Sequence, residues 1–299
     1  MKFIISILIT SCILSCHRSN TTNMSKKSEE GNLLTRDTLP HQTIVKQLDL
    51  KINETSGLVI INDAYWTIND SGDKAQIYQF DMVSGKVTKT IKIREAKNKD
   101  WESLTQDDTH LYIGDFGNNT GGRNNLRIFK AEKSRLSKSE IKKTKTISFT
   151  YPDQDQFYSG YNHNFDCEAM VSKGDSLYLF SKNWLDARCK LYGLSKRPGP
   201  QTATLIDEFD AEGRITGASF NKEKNILYLL GYNRPDKYES FIWKITDWED
   251  RNFFSGNKTR YELSIGRQTE GITVDSDGSL LISAEQNKGG YPSVFRVNL

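Results

Sequence analysis

The segment TIVKQLDLKI, residues 43–52, reads as a strand with no partner beside it. Branched apolar residues alternate there with polar ones, which is the pattern of a half-buried strand. The other end of the chain supplies the missing neighbour. The last strand-rich unit opens with TEGITVDSDGSLLISAEQ (269–286), continues in PSVFRVNL (292–299) and stops after three strands, whereas each unit before it holds four. A surplus strand at one terminus that matches a deficit at the other is how a β-propeller closes its ring, and closure removes the exposed edges that invite aggregation.

Internal repetition defines the units. TSGLVIINDAYWTIND (55–70), WESLTQDDTHLYIGDFG (101–117), CEAMVSKGDSLYLFSKN (167–183), ITGASFNKEKNILYLLGYN (215–233) and the 269–286 phrase share one plan: inner strand, tight turn, second strand. AQIYQFD, NLRIFKA, CKLYGLS, SFIWKIT and PSVFRVNL follow as third strands, and VTKTIKI, KTKTISFTY, ATLIDEFD and TRYELSI as fourth strands. No window carries a long helical period. The expected fold is all-β, a five-bladed β-propeller of four-stranded antiparallel blades over residues 43–299, its last blade closed by the N-terminal strand. A sandwich of the same strands would leave the matched surplus and deficit unexplained.

Residues 1–15 are set apart. Met1-Lys2 precedes an apolar run from Phe3 to Leu14, a secretory core too short to span a bilayer stably. ILSC (13–16) resembles a bacterial lipobox, which makes Cys16 the lipidated residue; ITSC, ending at Cys12, is the alternative with the shorter apolar core. Residues 16–42 hold almost no aromatic or branched apolar side chains and are expected to form a disordered tether, since little burial offsets the entropy of ordering them. The acidic cluster typical of surface export is absent directly after Cys16. The implied location is the cell envelope, lipid-anchored to a membrane, with the periplasmic side favoured.

The formal charge of +3 is small and its basic residues are scattered, which excludes a phosphate-backbone-reading face and hence a nucleic-acid partner. His17, His41, His110 and His163 include no pair at metal-ligand spacing. Cys167 and Cys189 suit a disulfide in an oxidising compartment, but they fall on strands that are not neighbours, and the pairing stays open. Ser-His-Asp sets, P-loops, dinucleotide fingerprints and Cys/His zinc spacings are all missing.

Aligned at their first apolar step, the inner strands place Ser56, Glu102, Glu168, Thr216 and Glu270 in one register. Innermost strands line a propeller's channel, so these side chains should converge on its axis. Three carboxylates meeting in a partly desolvated site repel strongly unless compensated. Calcium (Ca2+) resolves this, because it accepts six to eight oxygens in a forgiving geometry; the alternative is a water-filled channel whose glutamates pair with Lys or Arg. Gly57, Ser103, Ala169, Gly217 and Gly271 follow the ring positions, as crowding of the inner backbones requires. The second strands end at the same mouth with Asp70, Asp115, Asn183, Asn233 and Glu285, beside Lys182, Arg234 and Gln286, and the loop GDFGNNTGGRNN brings Asn118, Asn119 and Arg123 over it.

These phrases resemble the calcium-dependent soluble apyrases, five-bladed propellers that hydrolyse nucleoside di- and triphosphates over a central Ca2+. ETSGLVIINDAYWTIND, DWESLTQDDTHLYIGDFG, FDCEAMV, ITGASF and QTEGITV occur in the family's order, with its ring of Ser, Glu, Glu, hydroxyl and Glu. The resemblance implies that Ser56, Glu102, Glu168, Thr216 and Glu270 are ion ligands. The chain departs from the family in the turn NDSGD, which keeps Asp70 but has no Arg, and in YPDQDQFYSGYNHNFD, which has no basic phosphate-binding group. A looser similarity is to the esterase-like phytase propellers, usually six-bladed.

Two functions follow as expectations. The first is a Ca2+-dependent phosphohydrolase acting on a phosphate-containing small molecule, with Asp70 or Asp115 handling the attacking water and Lys182, Asn183, Arg234, Glu285 and Arg123 contacting substrate. The second is a non-catalytic propeller with a structural cation that binds an envelope protein or glycan.

Overall fold

The computed structural model describes residues 33–38, 42–157, 160–233 and 238–299. The signal segment, Cys12, Cys16, most of the expected tether and Arg234 lie outside the described residues. The strands form five sheets. Blade 1 comprises Thr55–Ile61, Ala64–Asn69, Gln76–Phe80 and Val87–Ile93; blade 2 comprises Trp101–Gln106, His110–Asp115, Leu126–Glu132 and Lys145–Thr150. Blade 3 comprises Cys167–Lys173, Ser176–Ser181, Cys189–Ser195 and Thr204–Phe209; blade 4 comprises Arg214–Asn221, Ile226–Tyr232, Ser240–Thr246 and Asn257–Glu262. Blade 5 takes Thr269–Val274, Leu280–Ala284 and Ser293–Val297 from one end of the chain and Ile44–Gln47 from the other, with Ile44 opposite Phe295 and Gln47 opposite Ser293. Ile44–Gln47 of the unpartnered segment 43–52 therefore closes the propeller, while Leu50–Ile52, expected to continue the strand, forms a short 3-10 helix capped by the Asp49 side chain.

Central strands are apolar on both faces because each blade is covered by a neighbour on either side. In blade 4, Leu227 and Leu229 join the core shared with blade 3, while Tyr228 and Leu230 join the core shared with blade 5. Equivalent cores lie between blades 1 and 2, 2 and 3, and 5 and 1, so the apolar interior is itself a ring. Each fully buried Leu or Ile in these layers stabilises the fold by roughly 2 kcal/mol relative to exposure.

Three blades carry a further outer strand that the sequence pattern does not announce. Leu34–Thr38 runs parallel to the edge of blade 4, Glu140–Ile141 to that of blade 1 and Gly199–Thr202 to that of blade 2. Each lies just before the fourth strand of the next blade and clasps the preceding one on the way. The stretch 34–38, expected to belong to a disordered tether, is thus a strand; Leu34 stays 54% exposed, and the segment is held by backbone pairing and a Thr35–Thr259 hydroxyl bond of 2.8 Å rather than by apolar burial. Cys167 and Cys189 sit on the first and third strands of blade 3 as free, buried thiols.

Each inner strand packs against the next, from blade 1 round to blade 5 and back to blade 1. Gly57 adopts φ +125°, and a Cβ there would come within 2.6 Å of the Leu104 backbone nitrogen; one on Gly217 would come within 2.5 Å of the Glu270 carbonyl. The small residues after the ring positions are therefore set by backbone crowding, as the sequence implied.

Candidate cation site at the channel mouth

All five inner strands are irregular at one register. Pairing with the second strand shifts between Thr55 and Leu58, Trp101 and Ser103, Cys167 and Ala169, Ile215 and Gly217, and Thr269 and Gly271. The residues in these bulges include Ser56, Glu102, Glu168, Thr216 and Glu270. A bulge re-aims the side chain of its extra residue. The ring read from the sequence is thus a ring of bulges, and its members are 1%, 3%, 3%, 0% and 3% exposed respectively.

The five do not play equal parts. Thr216 donates its hydroxyl to the Thr269 carbonyl at 2.6 Å, and Ser56 donates to the Glu102 carbonyl at 2.9 Å, so both hydroxyl hydrogens serve as links between blades. Glu168 pairs with Lys182, which is buried and reaches it from the end of the second strand of blade 3. Burial alone would lower the Lys182 pKa, but Glu168, foremost among its neighbours, outweighs this and keeps the ammonium charged. Lys182 also faces the rings of Trp184 and Tyr232 at 5.4 and 5.7 Å. The alternative of a glutamate compensated by lysine therefore holds on this side of the ring. Gln268 donates to Glu270 Oε1 at 2.9 Å.

Three buried oxygens of the ring have no hydrogen-bond partner among the described residues: Glu102 Oε1, Glu168 Oε2 and Glu270 Oε2. Burying such acceptors unpartnered is costly. Burial, then Asp70, Glu168 and Asp100, hold Glu102 well above the ordinary carboxylate range; burial pushes Glu270 up to about 8 against the pull of Lys182. A hard cation relieves both penalties, and an all-oxygen donor set suits calcium better than zinc. The residues present fit a bound Ca2+.

The mouth holds more acid than the sequence reading assigned to it. Asp70, Asp100 and Glu102 each bring an oxygen to within 4.8 Å of one another. Burial, followed by the charges of Asp70 and Asp166, pushes Asp100 up to about 7. Asp166 is fully buried but saturated by the amides of Asn118 (2.6 Å) and Cys167 (3.0 Å) and the indole N–H of Trp184 (2.8 Å). Asp100 and Asp166 escaped the sequence reading although a signal was present: both stand two residues before a ring glutamate, in DWE and DCE.

The expected catalytic and substrate residues separate. Asp70 is half-buried in the carboxylate group, its pKa raised by burial first. Asp115 is enclosed instead: it pairs with Arg123 at 3.1 Å and Arg127 at 3.2 Å and accepts the Asp100 amide at 3.1 Å, which makes it a support for Asp100. Arg123 braces its own loop through the Gly117 and Asp115 carbonyls at 2.6 and 3.1 Å. Asn183 is buried between Ser181 (2.6 Å) and Asp186 (2.9 Å). Glu285 faces the mouth, pushed up to about 8 by burial and then by Asp70 and Glu168. Arg214, not singled out in the sequence, lies 4.0 Å from the Trp184 ring centroid with a buried Nη1 that has no hydrogen-bond partner among the described residues. Below the ring the channel continues as a cavity of about 180 Å³ lined by residues such as Leu58, Leu104 and Ile272.

No family model and no curated protein sequence matches the chain. Among solved structures it is similar to a glucose dehydrogenase, at 8% identity over 87% of this chain and 100% of that one, with a TM-score of 0.52. It is also similar to Mala s 1, a major allergen of Malassezia sympodialis, at 14% identity over 87% and 97% of the two chains with a TM-score of 0.52. A bifunctional GH43-CE protein of Bacteroides eggerthii matches at 14% identity and a TM-score of 0.53 over 88% of this chain but 35% of that one. These likenesses are of the propeller fold alone.

Proposed function

We propose that this propeller is a Ca2+-dependent hydrolase of phosphate esters or anhydrides, tethered to the bacterial envelope through Cys16. The observation that carries the reading is the set of buried, unpartnered oxygens of Glu102, Glu168 and Glu270 at a mouth where the half-buried Arg214 presents an unpartnered Nη1. A calcium ion held at this mouth would supply Lewis-acid polarisation of a phosphoryl oxygen. Arg214 balances charge on the phosphoryl group, with Trp184 fixing its guanidinium plane. Asp70 and Glu285 are the rim carboxylates available to take a proton from water. The Trp184 and Tyr161 rings, 5.0 Å apart, wall one side of the mouth.

The test is phosphate release from ADP, UDP, GDP and phytate by the purified protein, with Ca2+ and with chelator. Turnover that disappears with the chelator supports the reading; no release from any substrate ends it. A second reading, a non-catalytic propeller that binds an envelope protein or glycan, is favoured by one feature. Phe157, Tyr161 and Leu185 stand 44%, 61% and 60% exposed. Calcium-dependent stability without turnover is its signature.

A further inference from the structure

We propose that Asp70, Asp100 and Glu102 form an off-axis site for a calcium-sized hard dication, on the side of the mouth shared by blades 1 and 2. The other half of the ring is served by the ammonium of Lys182. The inference rests on the cation-dependent reading above and locates the ion within it.

The mouth is electrostatically divided. On the side of blades 3 to 5, Glu168 is paired with Lys182, Lys182 also draws on Glu270, and Asp166 accepts three hydrogen bonds. On the side of blades 1 and 2, three carboxylates face one another, and the arginine contact among the described residues is Arg123 Nη1, 3.9 Å from Asp100 and already donating to the Gly117 carbonyl, while Nη2 pairs with Asp115. Among the described residues, the group of three carboxylates that lies within reach of a single ion therefore sits on the side of blades 1 and 2.

An acidic cluster alone would not make a site. The independent observation is Glu102, 97% removed from solvent by its 3% exposure, whose Oε1 has no hydrogen-bond partner among the described residues. Gly117 shows where that oxygen points: a Cβ on Gly117 would collide with Glu102 Oε1 and stand 2.6 Å from Asp100 Oδ2, so both oxygens border one hollow kept open by the missing side chain. Oxygens sharing one Ca²⁺ at 2.3–2.6 Å lie at most about 5 Å apart. The three here fall within 4.8 Å. The site engages Asp70 as a ligand, which leaves Glu285 as the rim carboxylate for water.

The experiment is calcium binding by isothermal titration, with CaCl2 alone as the probe, on the mature full chain and two variants whose folding is checked by circular dichroism. Asp100→Asn removes a proposed ligand that is not a ring member, and we expect affinity to fall tenfold or more. Glu168→Gln combined with Lys182→Gln removes an axial carboxylate and its counter-charge together, and affinity should stay within about threefold. Asp70→Asn, at a half-buried position, repeats the first test should Asp100→Asn fail to fold. Loss of binding in the Glu168/Lys182 double variant, with Asp100→Asn and Asp70→Asn unaffected, would place the ion on the axis; it would overturn the off-axis site while leaving calcium dependence intact. No heat of binding by the unmodified protein at millimolar calcium would overturn both.

Discussion

Thr216 on blade 4 donates its hydroxyl to the carbonyl of Thr269 on blade 5, and in that 2.6 Å bond a ring position serves as a rivet between blades. Ser56 does the same from blade 1 to blade 2 through the Glu102 carbonyl. Thr216→Val keeps the shape and deletes the donor, leaving a buried carbonyl unpartnered. We expect a stability loss of about 1–2 kcal/mol by urea denaturation, with calcium affinity little changed and Thr216→Ser recovering most of the loss. Calcium binding abolished at unaltered stability would make the hydroxyl a ligand instead.

Gly117 keeps space open within the site. Its missing side chain leaves room for Glu102 Oε1 and Asp100 Oδ2. Gly117→Ala should fold, since the methyl meets the carboxyl ends of two side chains rather than backbone, yet lose the increase in melting temperature that calcium gives the parent protein. Thermal melts with and without calcium decide the point; an unchanged calcium increment would show that the hollow is not the site.

Away from the mouth, Asp107 predicts an acid limit. Burial would raise its pKa, but the Tyr112 hydroxyl at 2.7 Å, the Thr109 and His110 amides at 2.9 and 2.8 Å and the Lys196 ammonium at 3.0 Å outweigh it and hold the carboxyl well below the usual range. The folded state therefore favours the ionised form. Its contribution to stability is complete above the unfolded-state pKa of about 4 and is lost as pH falls toward the folded value. Asp107→Asn should lower stability at pH 7 and make stability between pH 5 and pH 3 less steeply pH-dependent than in the parent. Parallel slopes would argue against this role.

Cys167 and Cys189 should behave as inert core thiols. Burial pushes both pKa values up, and their strands are separated by the one that carries Ser181. Low thiolate content and enclosure suppress reactivity. A thiol reagent should label neither in native protein spanning residues 33–299 and both after unfolding. Labelling of either before unfolding would mean that the blade 3 core opens.

The repeat made the ring legible because each inner strand carries its small and apolar residues at a fixed offset from Ser56, Glu102, Glu168, Thr216 or Glu270. The closing strand was legible for a related reason: 43–52 alternates like a strand that lacks a local partner, although only Ile44–Gln47 of it pairs and Leu50–Ile52 coils into a 3-10 helix. What the repeat does not express was missed. A bulge is a relation between two strands, so nothing in DWES alone says that Glu102 stands outside the ladder. The pairing of Lys182 with Glu168 depends on side chains that come from different strands, and the sequence placed Lys182 at the rim as a substrate contact. GPQT and LTRDT lack apolar alternation because their order comes from a neighbouring blade's edge.

The N-terminal clasp also sets a load path. Leu34–Thr38 lies along blade 4 in parallel, and only afterwards does the chain enter blade 5 through Ile44–Gln47. Force drawn through residue 33 is met first by five residues sheared against Asn257–Glu262, before any tension reaches the seam that holds the circle shut. In single-molecule stretching from that end, a small early release should precede the main rupture, and a chain beginning at Gln42 should lack it.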